Sequence, residues 1–475
     1  MAQDLARPPE RGDGARRRHA RPHKGVAAPA PEVGVPTDAA VEAAAAAAAS
    51  TFRESRTLPV WKRADALDHI SRRLAETLED NARSIALEGG KPLKWARSEA
   101  ARAVSTFRWA AEEVRRGDDE VMRLDTEQAL GSRLGIVRRF PYGPVLGITP
   151  FNFPLNLVAH KVAPALAVGA PIVIKPAPAT PLGALRLAEL FDETDLPKGM
   201  LQVLPVGNEV ADGMARDARY RKISFTGSGG VGWYLKGLDP KKRITLELGG
   251  NAGVIVHGDA DLDLAARRVA FGGYYQAGQS CISVQRVFVQ EPVFDAFAAR
   301  LVQEVGNLKV GDPLDPATDV GPVIDRRNGE RIDAWVTEAV AGGATVLARG
   351  RADGAFYAPT VLSTVDPTMK VCAEEIFGPV VTIAPYATFE EAIERVNDPR
   401  YGLQAGVFTN DVTRAFQAHR DLEMGGVILN DVSAFRADQM PYGGAKESGV
   451  GREGLRYAME EMTEPRIMVF SNVPL

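Results

Sequence analysis

The stretch VLGITPFNFPLNLVAHKVAPALAVGAPIVIK, residues 145–175, reads as a strand, a helix and a second strand. Val145–Thr149 is a short β-branched run, Leu157–Val168 a helical one, and Pro171–Ile174 a strand again. Downstream the alternation continues. Leu182–Asp192 reads as helix, Leu201–Leu204 as strand, Val210–Ala215 as helix and Lys222–Phe225 as strand. Such a βαβα order implies a parallel sheet covered on both faces, which binds ligands beyond the carboxyl ends of its strands. A second series starts at Ala252–Val256 and runs through Arg286–Gln290, Val380–Pro385 and Gly426–Asn430.

Upstream the chain is helical. Thr37 opens a helix, and Ala44–Ala49 continues it, alanine being the best helix former. Helical patterns follow over Trp61–Glu88 and Ser98–Glu113. Residues 1–35 are rich in Arg, Pro, Gly and Ala and are expected to be poorly ordered. At the other end, Arg466–Phe470 is an apolar, strand-like tail. Such a strand is an exposed edge unless it pairs, and another subunit is one natural partner.

The bulk properties narrow the function. A chain of 475 residues exceeds one hydrophobic core, so two or three domains are expected. The net charge of -4 points to neither a nucleic-acid nor a membrane partner. The acids Asp4, Glu10, Asp13 and Glu32 interrupt the basic residues of the N-terminal segment. Two cysteines, Cys281 and Cys372, and six scattered histidines offer no zinc spacing and no disulfide framework, so no metal is expected and a reducing compartment fits. No apolar run has the length of a membrane span, and none follows Arg16-Arg17-Arg18 as a signal peptide requires. The expected location is cytoplasmic.

Four segments carry residue types suited to one reaction. Gly278-Gln-Ser-Cys281 offers a candidate nucleophile. Glu247-Leu-Gly-Gly250 places a carboxylate at a strand end, where it can act as a base. Pro150-Phe-Asn152-Phe-Pro154 fixes an amide donor between two prolines and two aromatics, as an oxyanion hole needs. Phe225-Thr-Gly-Ser-Gly-Gly-Val-Gly232 is a glycine-rich strand-to-helix turn that exposes backbone N–H groups to a phosphate. Taken singly, each also reads as an ordinary structural residue or turn. Cys372 is read as an inert buried thiol.

Taken in order, Asn152, Gly227-Ser228, Glu247, Cys281 and Glu374-Glu375-Ile-Phe-Gly-Pro379 resemble the aldehyde dehydrogenase superfamily. Asp312-Pro313, Thr318-Asp319-Val-Gly321-Pro322 and Gly443-Gly444-Ala-Lys446-Glu-Ser-Gly449 extend the resemblance, which covers about residues 37–475. It implies an α/β fold of three parts. These are a Rossmann-like parallel-sheet dinucleotide domain (36–118 and 140–247), an α/β catalytic domain (248–447) and a small β oligomerisation arm (119–139 and 455–475). A homodimer or homotetramer is implied. Cys281 then resembles the thiolate nucleophile, Asn152 with the Cys281 backbone N–H the oxyanion donors, and Glu247 the base that hydrolyses the thioester.

The same resemblance implies NAD or NADP as cofactor. Lys175 matches the lysine at the adenine ribose, Gly227 and Ser228 the pyrophosphate turn, and Glu375 and Phe377 the nicotinamide ribose and ring. Thr149, Pro150, Phe151, Gly207, Phe225, Thr226 and Leu248 complete the cofactor set, and Lys161 takes a supporting role near the active-site helix. Many NAD-preferring members carry a glutamate three residues after the lysine. Here that position is Pro178, which leaves both cofactors open.

On the substrate side the resemblance points to Asn156, His160, Ser280, Ser283, Phe435, Arg436 and Gln439. A polar lining disfavours a long fatty aldehyde and suits a small polar one, with Arg108 or Arg436 available to an anionic end. The resemblance is to the lactaldehyde, semialdehyde and phosphonoaldehyde branch, although Ser280 stands where phosphoglyceraldehyde-type members carry arginine. Two rivals are a coenzyme A-acylating dehydrogenase, against which Glu247 argues, and a catalytically silent protein on the same scaffold.

Overall fold

The computed structural model describes residues 17–19, 32–117, 119–350 and 352–472. Val145–Ile148 (β1), Ile172–Lys175 (β2), Leu201–Val203 (β3) and Lys222–Thr226 (β4) are strands close to the boundaries expected from the sequence. With Arg243–Glu247 (β5) they form a parallel sheet in the order β5-β4-β1-β2-β3, and Gly449–Val450 adds antiparallel to β5. Successive residues of these strands enter different cores. Val145, Ile172 and Ile174 pack into one apolar cluster, while Leu146, Ile148 and Val173 pack into another. The sheet is therefore covered on both faces, as the unbroken apolar runs require. The chain moves from β1 outward to β2 and β3, then returns to the far side of β1 as β4. That reversal opens a crevice at the carboxyl ends of β1 and β4.

A second sheet is built from Ala252–Val256 (β6), Val284–Gln290 (β7), Thr345–Arg349 (β8), Thr360–Ser363 (β9), Val380–Tyr386 (β10), Gln404–Phe408 (β11) and Gly426–Leu429 (β12). Their order is β8-β9-β10-β7-β6-β11-β12, and only the β8–β9 pair is antiparallel. The strand reading did not include β8, β9 or β11; β11 opens on Gln404-Ala-Gly, a weak strand signal. The fold is α/β: among the described residues two mainly parallel sheets stand beside a three-stranded antiparallel one and three two-stranded pairings.

The third sheet pairs Thr463–Ser471 with Arg133–Pro141, from Thr463 opposite Pro141 to Ser471 opposite Arg133, and Glu120–Arg123 completes it. The C-terminal strand thus finds its first partner within its own chain. Among the described residues its outer edge is unpaired, with Ile467 and Met468 about half exposed.

The helical pattern over Trp61–Glu88 forms two helices, Val60–Glu76 and Leu78–Gly89, because Thr77 leaves helical geometry at φ -111° and ψ 24°. Of the segment expected to be poorly ordered, Arg17–His19 pairs antiparallel with Glu32–Gly34. Residues 1–16 and 20–31 lie outside the described residues. Among the described residues no helix is long and apolar enough to cross a membrane.

Candidate active site

β1 runs into the Thr149–Leu155 loop and then into the helix Asn156–Val168 (α2). Side chains from the helix Leu93–Arg116 (α1) hold this loop. Glu99 accepts the Leu155 and Asn156 N–H groups at 3.0 and 3.2 Å, so a carboxylate caps α2 where the first N–H groups lack helical partners. Lys91 neutralises Glu99 and lies 3.9 Å from the Phe153 ring centroid. The Asn152 side-chain N–H donates to the Gln279 carbonyl at 3.0 Å, and Gln276 donates back to the Asn152 carbonyl.

Cys281 follows a turn that L-residues adopt reluctantly. Gln276 and Ala277 have φ of 53° and 54°, and Gly278 has φ of 69°. A Cβ at Gly278 would strike the Gly378 carbonyl. Left-handed backbone of this kind costs on the order of 1 kcal/mol per residue and clusters at functional sites. The turn presents Cys281 just ahead of β7, with Sγ 3.0 Å from the Tyr442 hydroxyl. Burial pushes the thiol up to about 12, while the Tyr442 hydrogen bond pulls it down.

Glu247 ends β5, is 2% exposed, and neither carboxyl oxygen has a protein partner among the described residues. Burial, and then the nearby Glu453 carboxylate, hold its pKa well above the usual range. Glu453 is itself buried and opposed by two cations. Lys161 Nζ reaches one of its oxygens at 3.0 Å, and Arg436 reaches the other at 3.1 Å. Burial works against this carboxylate, but the two cations outweigh it and keep it ionised. Lys161 also donates to Ser224 at 3.0 Å and Thr226 at 2.8 Å, which accounts for an ammonium buried beneath the first sheet.

Two cavities meet at Cys281. The larger, about 660 Å³, opens over the carboxyl ends of β1, β2, β4 and β5. Asn152, Glu247 and Cys281 share its wall, although they come from three distant stretches of chain. Thr149, Pro150, Phe151, Lys175, Phe225, Thr226, Gly227, Ser228, Leu248, Glu375 and Phe377 line it too. Gly207 does not; it precedes the helix Asn208–Arg216, and its neighbour Asn208 reaches the wall instead.

This cavity suits a dinucleotide. The helix Gly229–Leu238 (α3) starts on its wall at Ser228, no side chain caps it, and its first N–H groups are left for a phosphate. Burial draws Lys175 down to about 8, and its ammonium donates to Asn208 at 2.7 Å. Burial also raises Glu375 to about 7 against the Gly250 N–H it accepts at 2.9 Å. Phe377 stands edge-on to Phe151, ring centroids 5.9 Å apart.

The smaller cavity, about 180 Å³, lies on the other side of the sulfur. Asn156, Ser280 and Arg436 line it as expected, but the other expected substrate residues do not. His160 stands behind the wall, bonded to Asp438 at 3.0 Å, and burial keeps its imidazole neutral. Ser283 turns away to the Gly272 and Gly273 carbonyls at 3.1 and 3.4 Å. Phe435 and Gln439 are exposed. Arg108 is exposed as well, because it leaves the stripe of α1 that faces the cavity.

Arg102, and not Arg108, lines this cavity, on the same helix stripe as Glu99 and Thr106. Its guanidinium meets Asp438 at 2.8 Å. Sequence reading missed Arg102, Asp438, Tyr442 and Glu453. Tyr442 had a signal in Pro441-Tyr-Gly-Gly444, and Glu453 stands between Gly451 and Gly454, both at positive φ.

The description Aldehyde dehydrogenase family belongs to a family model that matches residues 24–468. The chain is 44% identical over 444 residues to a 3-sulfolactaldehyde dehydrogenase of Priestia aryabhattai, covering 93% of each chain. It superposes on aldehyde dehydrogenase 21 from Physcomitrella patens, solved with the reaction product succinate, with TM-score 0.93 and 43% identity over 95% of this chain and 94% of that one. It also superposes on the glyceraldehyde-3-phosphate dehydrogenase GapN of Methanocaldococcus jannaschii complexed with NADP, with TM-score 0.89 and 39% identity over 93% and 96%. With the dinucleotide-sized crevice, the cysteine on its wall and this breadth of similarity, the chain belongs to the aldehyde dehydrogenase family of NAD(P)-dependent oxidoreductases.

Proposed function

We propose that this enzyme oxidises a small aldehyde with an anionic tail to the corresponding carboxylic acid, through covalent catalysis at Cys281. The observation that carries the reading is the position of the sulfur, between a dinucleotide-sized cavity and a small one walled by Arg102 and Arg436. Arg436 Nε is buried without a partner among the described residues. An anionic oxygen would satisfy it, and buried donors are rarely left unpaired. Sulfolactaldehyde carries a sulfonate and succinate a second carboxylate, so two relatives named above handle tails of this charge.

The Cys281 thiolate attacks the aldehyde carbon, an S–C bond forms, and the carbonyl electron pair moves to oxygen. Asn152, through its side-chain N–H, and the Cys281 backbone N–H donate to that oxyanion; losing one such donor typically costs about 3 kcal/mol of barrier. The adduct becomes a thioester when its carbon gives up hydride and the C=O bond re-forms; a nicotinamide dinucleotide, which Lys175, the α3 N-terminus and Glu375 would hold, would supply the hydride acceptor when bound. Glu247 then takes a proton from water, whose oxygen attacks the thioester carbon. The C–S bond breaks, the acid leaves and the thiolate returns. The open edge of Thr463–Ser471 supports assembly as a homodimer or homotetramer.

The test is a kinetic screen of short sulfonate- and carboxylate-bearing aldehydes beside neutral ones of equal length, followed by NAD(P)H absorbance with NAD and NADP in parallel. Charged substrates should lead in kcat/KM by about a hundredfold, the scale of one or two charge-assisted hydrogen bonds. Equal values for neutral and charged aldehydes would remove the anionic tail from the reading.

A further inference from the structure

One contact in the site has no part in the chemistry above. The Tyr442 hydroxyl lies 3.0 Å from Cys281 Sγ. Tyr442 is 3% exposed, and among the described residues the sulfur is the hydrogen-bond partner of its hydroxyl. A phenylalanine would fill nearly the same volume without burying a hydroxyl, which is costly to leave unpaired. The Arg436 guanidinium carbon lies 3.7 Å from the centroid of the Tyr442 ring. A cation on the electron-rich face of a phenol draws density from the ring and makes its O–H a stronger donor.

We propose that Tyr442 is a further catalytic residue: its hydroxyl donates a hydrogen bond to the Cys281 thiolate, both before attack on the aldehyde and again when the thioester releases the sulfur. A thiolate carries no hydrogen, so the bond then runs from O–H to sulfur. No proton leaves the phenol, and the S–C bond forms and breaks with Tyr442 in place.

The charged and titratable groups facing the sulfur show why such a donor is needed. The Glu375 and Glu247 carboxyls oppose the thiolate, Arg436 favours it, and Tyr275 is a second phenol nearby. The sulfur is also desolvated. Tyr442 is the group among these that makes a direct hydrogen bond to the sulfur. The inference rests on Cys281 being the nucleophile, as proposed above.

The test is alkylation of the full-length enzyme by iodoacetamide across a pH series, read by peptide mass at Cys281 and, separately, at Cys372. With Tyr442→Phe the pH midpoint at Cys281 should rise by about one unit, the scale of a hydrogen bond to a charged group, while Cys372 is unmoved. Turnover should fall about tenfold in kcat/KM for neutral and anionic aldehydes alike, with dinucleotide affinity unchanged. Replacing Tyr442 by 3-fluorotyrosine, a more acidic phenol of nearly the same shape, should move the midpoint the other way.

An unshifted midpoint in either variant overturns the proposal. So does a loss confined to anionic aldehydes, which would make Tyr442 a support for Arg436 alone. Cys281→Ala distinguishes the two readings. Retained turnover there sinks the nucleophile assignment itself, whereas an essential Cys281 with an unmoved Tyr442→Phe midpoint sinks only the role of Tyr442.

Discussion

The two cavities that meet at Cys281 are built from different materials. The larger is walled by turns at strand ends, by glycines and by one helix terminus, so backbone groups do much of the presenting. The smaller is walled by long side chains from α1, α2 and the 434–442 segment, and its charges are already engaged, Arg102 with Asp438 and Arg436 with Glu453. A backbone-lined cleft tolerates substitution and suits a ligand common to many enzymes. A cleft lined by paired side chains changes character with each replacement. The nucleophile stands between the general and the particular half of the site.

The largest effects should come where the halves join. Cys281→Ala should cost about a thousandfold or more in turnover, measured as NAD(P)H formation, because the covalent route is lost. Next is Glu247→Gln, expected to lower kcat by about 10²–10⁴ and to leave the thioester visible as a mass adduct after aldehyde and dinucleotide are added. Unchanged turnover there would remove Glu247 as the base. Arg102→Met should act on one half only. We expect kcat/KM to fall roughly ten- to a hundredfold for anionic aldehydes and to hold for neutral ones; equal losses would blur the contrast between the cavities.

A pH profile gives a subtler effect. Glu247 works as a base only when ionised, and its pKa is raised by burial and by Glu453, so turnover should fall as pH drops through that raised value. Glu453→Gln removes the repelling charge and leaves Lys161 and Arg436 as uncompensated cations. The acid limb of the kcat profile should then move to lower pH; movement to higher pH would contradict the coupling. Smallest of all, Cys372→Ser should keep rates within about twofold, since the half-buried Cys372 lines neither cavity that meets at Cys281.

The backbone-lined half was legible in the sequence because strand ends and glycine turns announce themselves locally. The residues expected to bind the dinucleotide line the larger cavity, except Gly207, whose neighbour Asn208 lines it. The other half depends on helix phase and distant pairing. Arg102 and Arg108 both fall within the helix read over Ser98–Glu113, but only Arg102 shares the stripe of Trp95, Ser98 and Glu99 that lines the smaller cavity. Nothing local, by contrast, could have told that Glu453 meets Lys161, or Asp438 meets His160, across most of the chain's length. β11 was missed because burial on both faces, and not intrinsic preference, makes Gln404–Phe408 a strand.

The bare hydrogen of Gly278 leaves room for the Gly378 carbonyl and nothing more. The segment that presents the sulfur and the one that carries Glu375 and Phe377 therefore touch main chain to main chain, with no side chain to cushion them. Phe377 lines the larger cavity and precedes Gly378 in the chain, so a ligand that displaces Phe377 should also load the turn before Cys281. Loading the dinucleotide should slow amide hydrogen exchange across residues 276–281 as well as at the crevice itself.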